Sequence, residues 1–397
     1  MNLIFITEAR YLKAKDGNIY SITNSYSYFL FERYLKHFDK VFIIARVGYG
    51  EITEDLIGNI ITKNEKIEVL ELPYYVGPYG FLKQYLKIKW KMSSYIKKID
   101  IENSCIICRV PGRMGTIAIS YLKRHKIPYG IEVIADPYDG LTKGSIDNFF
   151  RPIIRIIAYL TLKRIAWSAP AALYVTNSTL QKRYPCKNFS IGVSSVFLPN
   201  EAFVSTPKRI LSSEIKLIAV GSLHQMYKSP DVVIDALQIL KWNGYVFHLI
   251  WLGDGKYMNE MILRTTENGL GNDIEFLGNI SAGQAIRDKL DESDILLMPS
   301  RTEGLPRAMV EAMARALPCI GTPIGGIPEL LDKSALIPIN DPVSLANKII
   351  FMIENQEYTY SQSIRNLNKA LEYSELILDK KRLSYFDYLK SFNQTKI

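Results

Sequence analysis

Short apolar runs alternate along the chain with longer stretches in which apolar positions recur at a helical period. This alternation is typical of α/β domains built on parallel sheets. In the first half it predicts strands at 2–7, 40–45, 67–71, 104–109, 129–134, 171–175 and 189–193, with helices near 19–36, 81–98, 113–125 and 147–167. In the second half it predicts strands at 215–221, 246–252, 274–277, 295–299, 318–321 and 335–338, with helices near 230–242, 256–268, 283–291, 306–317 and 342–355.

Residues 194–214 interrupt this pattern, because they are polar, contain proline and have no clean period. We interpret them as the linker between two doubly wound domains, 1–199 and 200–375, followed by a terminal helix in 376–397. Two such domains predict a cleft between them, with ligands at the carboxyl ends of the strands.

The composition, with 48% hydrophobic and 22% charged residues, is that of a globular protein. The N-terminal MNLIFITEAR lacks the basic region of a signal peptide, and no apolar stretch reaches the roughly 18 residues of a membrane span. We therefore expect a cytoplasmic protein, or one that lies on the inner face of a membrane.

Charge is unevenly distributed between the halves. Residues 1–199 contain 28 Lys and Arg against 16 Asp and Glu, or +12, and the remainder contains 21 against 24, or −3, which together give the net +9. The basic half predicts an anionic partner.

Several chemistries find no support in the sequence. Cys105 and Cys108 form a CxxC inside a strand-like run without a second pair, and the four histidines are scattered, so we expect no metal site. No GxGxxG or complete P-loop follows any strand, which disfavours dehydrogenases and P-loop NTPases.

The segment TEGLPRAMVEAMARAL contains the strongest functional signal. A buried strand is followed by a turn at Gly304 and by a helix that we predict to begin at Pro306, where proline is best tolerated. Glycine permits close approach of a ligand, and the N–H groups and dipole at a helix start attract anions. The turn therefore predicts a phosphate site.

Glu311 is unusual because the rest of that helix is almost entirely apolar. One interpretation is a ladder of i,i+4 ion pairs with Arg307 and Arg315 along an exposed edge. The other is a carboxylate that faces the cleft and accepts hydrogen bonds from two neighbouring hydroxyls, such as those of a ribose.

The stretch EGLPRAMVE resembles the E-x7-E motif of family 4 glycosyltransferases, which have the GT-B fold, and the resemblance spans most of the second half. It implies that Glu303 contacts the transferred sugar and that Glu311 holds the ribose. The diphosphate would then lie on the backbone of Gly304, Leu305 and Pro306. The resemblance also implies that the last helix packs back onto the first domain.

Further segments are similar to the family in the same order. In VGSLHQMYKSPDVV, Lys228 matches a basic residue that binds the donor phosphates, but Ser222 stands where many relatives have arginine. Lys228 then carries the phosphate charge alone or shares it with Arg307 or Arg113. A solvated lysine is the alternative interpretation of Lys228.

Three glycine-containing segments complete the implied donor site. Gly278, Asn279 and Ile280 match the backbone that receives the base, and Gly325-Gly326 resembles a second glycine-opened helix start. Gly17 matches a loop that closes on the donor phosphates, although a plain loop glycine is the alternative.

Candidate acceptor contacts follow strands of the first half. Arg109 and Arg113 in RVPGRMG predict an anionic ligand or, alternatively, a surface ion pair. Asp136 stands where many relatives have a histidine near the reactive carbon, so we assign it a sugar or acceptor contact, with a capping or turn aspartate as the alternative. Glu132 lies inside an apolar strand and is a candidate for facing the cleft.

Two basic segments with apolar positions, FLKQYLKIKWKMSSYIKK and FFRPIIRIIAYLTLKRIAW, predict contact with an anionic membrane surface. The second segment could instead be a core helix whose arginines reach the solvent.

Together these features predict a metal-independent hexosyltransferase that needs no cofactor beyond its nucleoside-diphosphate-sugar donor, and the resemblance to family 4 implies that the anomeric configuration is retained. The expected acceptor is a glycan that is linked to a lipid diphosphate, and the expected role is in bacterial surface polysaccharide synthesis. A GT-B epimerase or phosphorylase, or a basic nucleic-acid-binding or scaffold protein, are the alternatives, and the glutamate pair argues against a nucleic-acid partner.

Overall fold

The computed structural model describes residues 1–23, 26–141, 150–210 and 212–394, and within them the chain forms two consecutive α/β domains. The elements of the first domain are β1 (Asn2–Lys13), β2 (Ile19–Ser21), α1 (Tyr28–Leu35), β3 (Val41–Tyr49), β4 (Ile67–Pro73), α2 (Gly77–Lys98), β5 (Ser104–Val110), α3 (Arg113–Arg124), β6 (Gly130–Val133), α4 (Arg151–Ser168), β7 (Ala171–Tyr174), α5 (Thr179–Arg183) and β8 (Phe189–Gly192).

The first sheet has the order β4-β3-β1-β5-β6-β7-β8, and these strands are parallel, while β2 pairs antiparallel with the end of β1. Strand β1 is central, and Leu3 to Ile6 are inaccessible to solvent because helices cover both faces. The order reverses between β1 and β5, so a crevice opens there at the carboxyl edge.

The second domain contains β9 (Ile215–Val220), α6 (Pro230–Trp242), β10 (Phe247–Leu252), α7 (Met258–Glu267), β11 (Ile274–Gly278), α8 (Gln284–Glu292), β12 (Ile295–Met298), α9 (Arg307–Ala314), β13 (Cys319–Gly321), α10 (Ile327–Leu330), α11 (Pro342–Glu354), α12 (Gln356–Leu371) and α13 (Glu375–Gln394). Its sheet has the order β11-β10-β9-β12-β13, again parallel. The order reverses between β9 and β12, which places the crevice of this domain between the loops that follow those two strands.

Helix α13 lies on the first domain although it follows the second in sequence. The Tyr385 hydroxyl donates to the carbonyl of Ile131 at 3.0 Å, and Arg382 donates to the carbonyl of Ser194 at 3.1 Å. Phe386 packs its ring against Phe38 at 5.1 Å. The helix therefore ties the end of the chain to β6 and to the linker.

One predicted strand and one predicted helix end in the second domain are wrong. Residues 335–338 do not form a strand: Leu336 makes one isolated bridge to Gly321, and Pro338 lacks the N–H that a longer ladder would need. Helix α9 ends at Ala314 instead of residue 317, because Ala316 adopts a left-handed φ of 59° and Pro318 follows. Sequence patterning also missed α12, which covers the end of α9.

The helix predicted at 19–36 begins at Tyr28 instead of residue 19. Residues Ile19–Ser21 alternate buried and half-buried positions and pair with Tyr11–Lys13 as strand β2. The helix proper is Tyr28–Leu35. A β-hairpin thus extends β1 beyond the sheet edge, and local helical periodicity gave way to pairing with the neighbouring strand.

Candidate active site

Two of the three charged residues that the sequence singled out as catalytic candidates, Lys228 and Glu303 but not Asp136, meet at the crevice of the second domain. Lys228 ends a short 3₁₀ turn after β9, and Glu303 lies in the turn after β12. The Nζ of Lys228 donates to Oε1 of Glu303 at 2.5 Å, and Ser300 Oγ donates to the same oxygen at 2.7 Å. The side chains are only 13% and 8% exposed, so the solvated-lysine interpretation of Lys228 is wrong.

Lys228 reaches this position because its aliphatic stem passes over a glycine. A Cβ placed on Gly221 would lie 2.5 Å from Cγ of Lys228, which is closer than atoms can approach. A Cβ on Gly253 would lie 2.3 Å from the carbonyl oxygen of Gly221, and the Gly253 amide donates to the carbonyl of Gly278 at 2.8 Å. The turns after β9, β10 and β11 therefore pack directly on one another, and only glycine fits between them.

Arg301 holds the Lys228 turn against the Glu303 turn. Its guanidinium binds both carboxylate oxygens of Asp231 at 2.9 and 2.6 Å and donates to the carbonyl of Met226 at 2.7 Å. Its backbone amide donates to the carbonyl of Tyr227, also at 2.7 Å. The bidentate geometry fixes orientation as well as distance, so Arg301 sets the spacing of the two charged residues.

The turn at Gly304 faces the first domain. A Cβ on Gly304 would stand 3.1 Å from the carbonyl oxygen of Ile134, which follows β6. On its other side, the Gly326 amide donates to the carbonyl of Gly304 at 2.6 Å, and Gly325 adopts a left-handed φ of 53°. The two glycines therefore pack directly against the Gly304 turn, and a side chain at either position would collide with that turn.

Helix α9 begins at Arg307, with Pro306 in the capping position rather than at the first helical position. Pro306 itself has no side-chain hydrogen bond to cap this helix start. Because proline has no N–H, Pro306 cannot donate to a ligand, and the backbone donors at the turn are those of Gly304, Leu305 and the first helical residues. A helix start next to an ammonium group is well suited to an anion.

Glu311 lies one turn into α9 among buried neighbours such as Met309, Val310 and Ala312. Burial raises the pKa of Glu311, an effect that Arg307 and Arg287 only partly offset. Within the described part of the chain its carboxylate accepts no hydrogen bond. A half-buried carboxylate without a hydrogen-bond partner is poised to accept one from a ligand.

The ion-pair ladder along α9 is not formed. Arg315 instead binds both carboxylate oxygens of Asp291 at 2.6 and 2.5 Å and donates to the carbonyl of Ala202 at 3.2 Å. Its task is to join the end of α9 to α8 and the linker. The C-terminal end of this segment is further fixed by Ser363 and Asn366 of α12, which donate to the carbonyls of Ala316 and Leu317 at 2.7 and 2.8 Å.

The remaining donor candidates lie around the same crevice, except one. Ser222 is half-buried in the turn after β9, where its hydroxyl donates to the carbonyl of Asp254 at 3.3 Å. Gly278, with a φ of 66°, and the exposed Asn279 follow β11, and Ile280 packs into the cluster that contains Met309. Gly17 lies instead in the exposed turn of the β1–β2 hairpin, with a φ of 88°.

Arg109 and Glu132, two of the acceptor candidates, are buried against each other. Arg109 Nε lies 3.3 Å from Oε2 of Glu132, whose other oxygen accepts from the Tyr34 hydroxyl at 2.5 Å. They are 7% and 3% exposed, so neither the surface ion pair nor a Glu132 open to the cleft is observed. Arg113 stacks on the Phe81 ring at 4.4 Å.

The start of α3, where the sequence suggested an anionic ligand, is already occupied by a side chain. The carboxylate of Glu8 accepts from the Met114 amide at 3.0 Å and from the Tyr75 hydroxyl at 2.5 Å. Glu8 thus supplies the negative charge that the helix start attracts.

Asp136 is 6% exposed, and both of its oxygens are engaged inside the first domain. It accepts from Arg183, from the Tyr184 hydroxyl and, at 2.8 Å, from the amide of Tyr138. This is the geometry of the alternative interpretation, a turn aspartate. Its assignment as a sugar contact remains a prediction.

Sequence reasoning missed Glu329, which joins the domains. It follows the Gly325-Gly326 pair, and its carboxylate accepts from the amides of Asn177, Ser178 and Thr179 at 2.7, 3.0 and 2.6 Å. Although burial by itself raises the pKa of Glu329, these bonds and that from the Thr179 hydroxyl hold it below its usual value. The proline-glutamate pair in GGIPEL was its only signal, and its partner lies about 150 residues away.

The architecture and the site define the class of protein. Two doubly wound domains face each other across a cleft, and the charged crevice of the second lies against the carboxyl edge of the first. This is the GT-B fold of glycosyltransferases, as the sequence predicted.

Comparisons with known proteins identify the family. The sequence model described as "Glycosyl transferases group 1" matches residues 214–355. Over 400 residues the chain is 30% identical to Protein CapJ of Staphylococcus aureus, an alignment that covers 99% of this chain and 97% of CapJ. The chain therefore belongs to the group 1 glycosyltransferases.

A second relative and a solved structure add detail. The putative colanic acid biosynthesis glycosyltransferase WcaL of Escherichia coli (strain K12) is 31% identical over 173 residues, 41% of this chain and 42% of WcaL. The crystal structure of Anabaena Alr3699/HepE in complex with UDP-glucose superposes with a TM-score of 0.69 at 15% identity, covering 98% of this chain and 99% of HepE. The HepE likeness shows the shared fold.

Proposed function

We propose that the protein is a family 4, retaining glycosyltransferase that transfers a sugar from a nucleoside-diphosphate-sugar to a glycan, without a metal ion, in the synthesis of a bacterial surface polysaccharide. The observation that carries this proposal is the meeting of Lys228 and Glu303 beside the glycine turn that leads into α9. The UDP-glucose bound to HepE supports a nucleoside-diphosphate-sugar as the donor. The similarity to WcaL, a putative colanic acid biosynthesis glycosyltransferase, supports a role in polysaccharide synthesis.

In this proposal the donor diphosphate lies at the start of α9. The N–H groups of Gly304 and Leu305, the helix dipole and the Lys228 ammonium stabilise the charge that develops on the leaving diphosphate. This is the part that a divalent cation plays in other transferases. Glu311, a turn further along the helix, accepts hydrogen bonds from the two ribose hydroxyls.

Binding of the donor replaces the ion pair seen in the free protein. Lys228 exchanges the carboxylate of Glu303 for a phosphate oxygen, and Glu303 then accepts from hydroxyls of the sugar. The bond between the anomeric carbon and the diphosphate oxygen breaks as the acceptor oxygen bonds to that carbon. The acceptor proton passes to the departing phosphate oxygen, so that a nucleoside diphosphate leaves.

We also propose that the first domain works on an anionic membrane surface at the cytoplasmic face, where it meets a lipid-linked acceptor. Helix α2 exposes Leu82, Leu86 and Trp90 by 70, 77 and 68% between lysines. Helix α4 exposes Ile153 and Ile157 by 57 and 58%, whereas Leu162 and Ile165 in its C-terminal half are buried in the core, so the alternative of a core helix holds for that half. Exposed apolar and basic positions on one helix suit an anionic leaflet. No helix in the described ranges combines the length and hydropathy needed to cross a bilayer.

A thermal-shift panel with UDP, GDP and ADP in the presence of EDTA tests the donor proposal. A ligand that binds only the folded state stabilises it by about 2.7 kcal/mol at a hundred times its Kd. We expect one of the three nucleotides to raise the melting temperature and Lys228→Met to reduce that shift. If none of them stabilises the protein, the donor site does not exist as proposed.

A further inference from the structure

A cavity of about 660 Å³ lies on the first domain, at the carboxyl ends of β1, β3 and β4 beneath α2. Its volume is in the range of small-molecule sites. It is separate from the donor crevice, because the Gly304 turn stands over the end of β6, three strands away from β3 in the sheet. At about 4.8 Å between strands, β3 and β6 are about 14 Å apart across the sheet.

The walls of this cavity are held in place by hydrogen bonds. Glu71, at the end of β4, binds Lys13 Nζ through one carboxylate oxygen at 2.8 Å and the Tyr49 hydroxyl through the other at 2.6 Å. Its carbonyl accepts from Lys91 at 3.1 Å. A Cβ on Gly48 would lie 3.0 Å from the ring of Tyr74, so glycine admits this ring into the wall. Two tyrosines and a carboxylate are a polar, aromatic lining of the kind that binds a sugar ring.

The cavity carries uncompensated positive charge. Lys87 and Lys91 line it one helical turn apart, and neither pairs with a carboxylate in the described part of the chain. Glu71 is matched by Lys13, so three ammonium groups against one carboxylate leave a formal charge of +2. Two lysines spaced in this way suit a phosphate or diphosphate.

An apolar stripe runs along the same helix next to the lysines. Leu82, Leu86 and Trp90 recur at spacings of four residues, and each is at least 68% exposed. At about 100° per residue, Lys87 and Lys91 stand about a quarter of a turn around the helix from Leu86 and Trp90. An acceptor that combines a phosphate with a hydrocarbon chain could therefore contact both.

We infer that this cavity binds the phosphate-bearing end of a lipid-linked glycan acceptor. The inference deepens the proposed transfer and rests on it. The phosphates lie on Lys87 and Lys91, the first sugar lies against Tyr49 and Tyr74, and the hydrocarbon follows the apolar stripe into the leaflet. The free end of the glycan points toward the donor turn over β6, and the roughly 14 Å between β3 and β6 is more than a single sugar ring spans. The acceptor is therefore a lipid-linked oligosaccharide.

Vesicle flotation with paired variants tests this inference. The site variant is Lys87→Gln with Lys91→Gln, and the matched control is Lys89→Gln with Lys97→Gln, which removes the same charge from other faces of α2. Phosphatidylcholine vesicles containing either a lipid-diphosphate-linked disaccharide or phosphatidylglycerol are compared. We expect the site variant to lose at least about tenfold of its affinity for the glycolipid vesicles, and both variants to bind phosphatidylglycerol vesicles equally.

Three outcomes would overturn the inference. The control variant could lose glycolipid binding as much as the site variant, the site variant could bind glycolipid like the wild type, or it could lose phosphatidylglycerol binding in the same proportion. The last result would assign the lysines to anionic headgroups in general. Nucleotide thermal shifts of both variants are measured alongside, because a preserved shift shows that the variant is folded. If the wild type itself shows no shift, the donor proposal fails and not the inference about this cavity.

Discussion

Replacing Glu311 by glutamine should change stability and donor binding in opposite directions. The carboxylate is half-buried in α9 among apolar residues and has no hydrogen-bond partner in the described part of the chain. Leaving a buried charged group without a partner costs about 1 kcal/mol or more, and an amide of the same shape costs less. We expect Glu311→Gln to raise the melting temperature of the free protein at pH 7 by about 2–4 °C.

This gain should depend on pH in a defined direction. Burial raises the folded-state pKa of Glu311 above its ordinary value of 4.5. The folded wild type therefore binds more protons than the unfolded chain, and it loses stability as the pH rises through the interval between the two pKa values. Glutamine does not titrate, so the two proteins should melt alike at pH 4 and the variant should be more stable at pH 7.

Donor binding should weaken in the same variant. A carboxylate accepts from both ribose hydroxyls, whereas glutamine retains one acceptor and presents an N–H₂ to the other hydroxyl. Losing one hydrogen bond to a charged group costs about 2 kcal/mol, or about thirtyfold in Kd. Thermal scans with the nucleotide that stabilises the wild type measure both effects, and Glu260→Gln, an exposed carboxylate on α7, is the matched control.

Two results would refute this reasoning. A wild-type nucleotide shift in Glu311→Gln would mean that the carboxylate does not hold the ribose. A lower melting temperature of the free variant at pH 7 would mean that the carboxylate has a stabilising partner in the folded protein.

Arg301→Gln should lower turnover more than nucleotide affinity, because it frees the Lys228 turn from the Glu303 turn while the backbone donors stay in place. Kinetics at saturating donor separate the effect on turnover from the effect on affinity. Glu329→Gln should destabilise the protein by about 2 kcal/mol at pH 7. Because the pKa of Glu329 is lowered in the folded protein, the wild type should lose this advantage as the pH falls through that pKa. Urea unfolding at several pH values measures the difference. Gly326→Ala should weaken nucleotide binding because its Cβ would lie 2.6 Å from Leu305, whereas Gly58→Ala, in open space, should not; equal thermal shifts would contradict this.

Much of the fold could be predicted because strands and helices carry their own periodicities. The apolar run LIFI lies in the buried part of β1 as predicted, and α11 keeps the helical pattern of residues 342–355 almost to its ends. Predictions failed where pairing competed with periodicity. Ile19–Ser21 became a strand because the end of β1 offered a partner, and the strand expected at 335–338 lacked one beyond Gly321.

The candidate site was predictable where a motif is contiguous. Glu303, Gly304 and Glu311 lie within one turn and one helix, so their spacing already places them together. Arg109, Glu132 and Asp136 look equally functional in sequence, yet their partners lie on other elements and engage them inside the first domain. Arg301 and the cavity below α2 gave no signal, and Glu329 gave only that of its proline-glutamate pair, because each depends on residues far apart in the chain.

The sequence by itself determined that the chain forms two parallel α/β units and that a glycine turn opens a helix with a glutamate on either side. Periodicity and backbone chemistry are local properties, so neighbouring residues suffice to set them. Only the tertiary structure decided that Lys228 meets Glu303 across 75 residues and that Glu329 reaches into the first domain. Those contacts depend on the order of strands in a sheet and on the way two domains face each other, and no single segment contains that information.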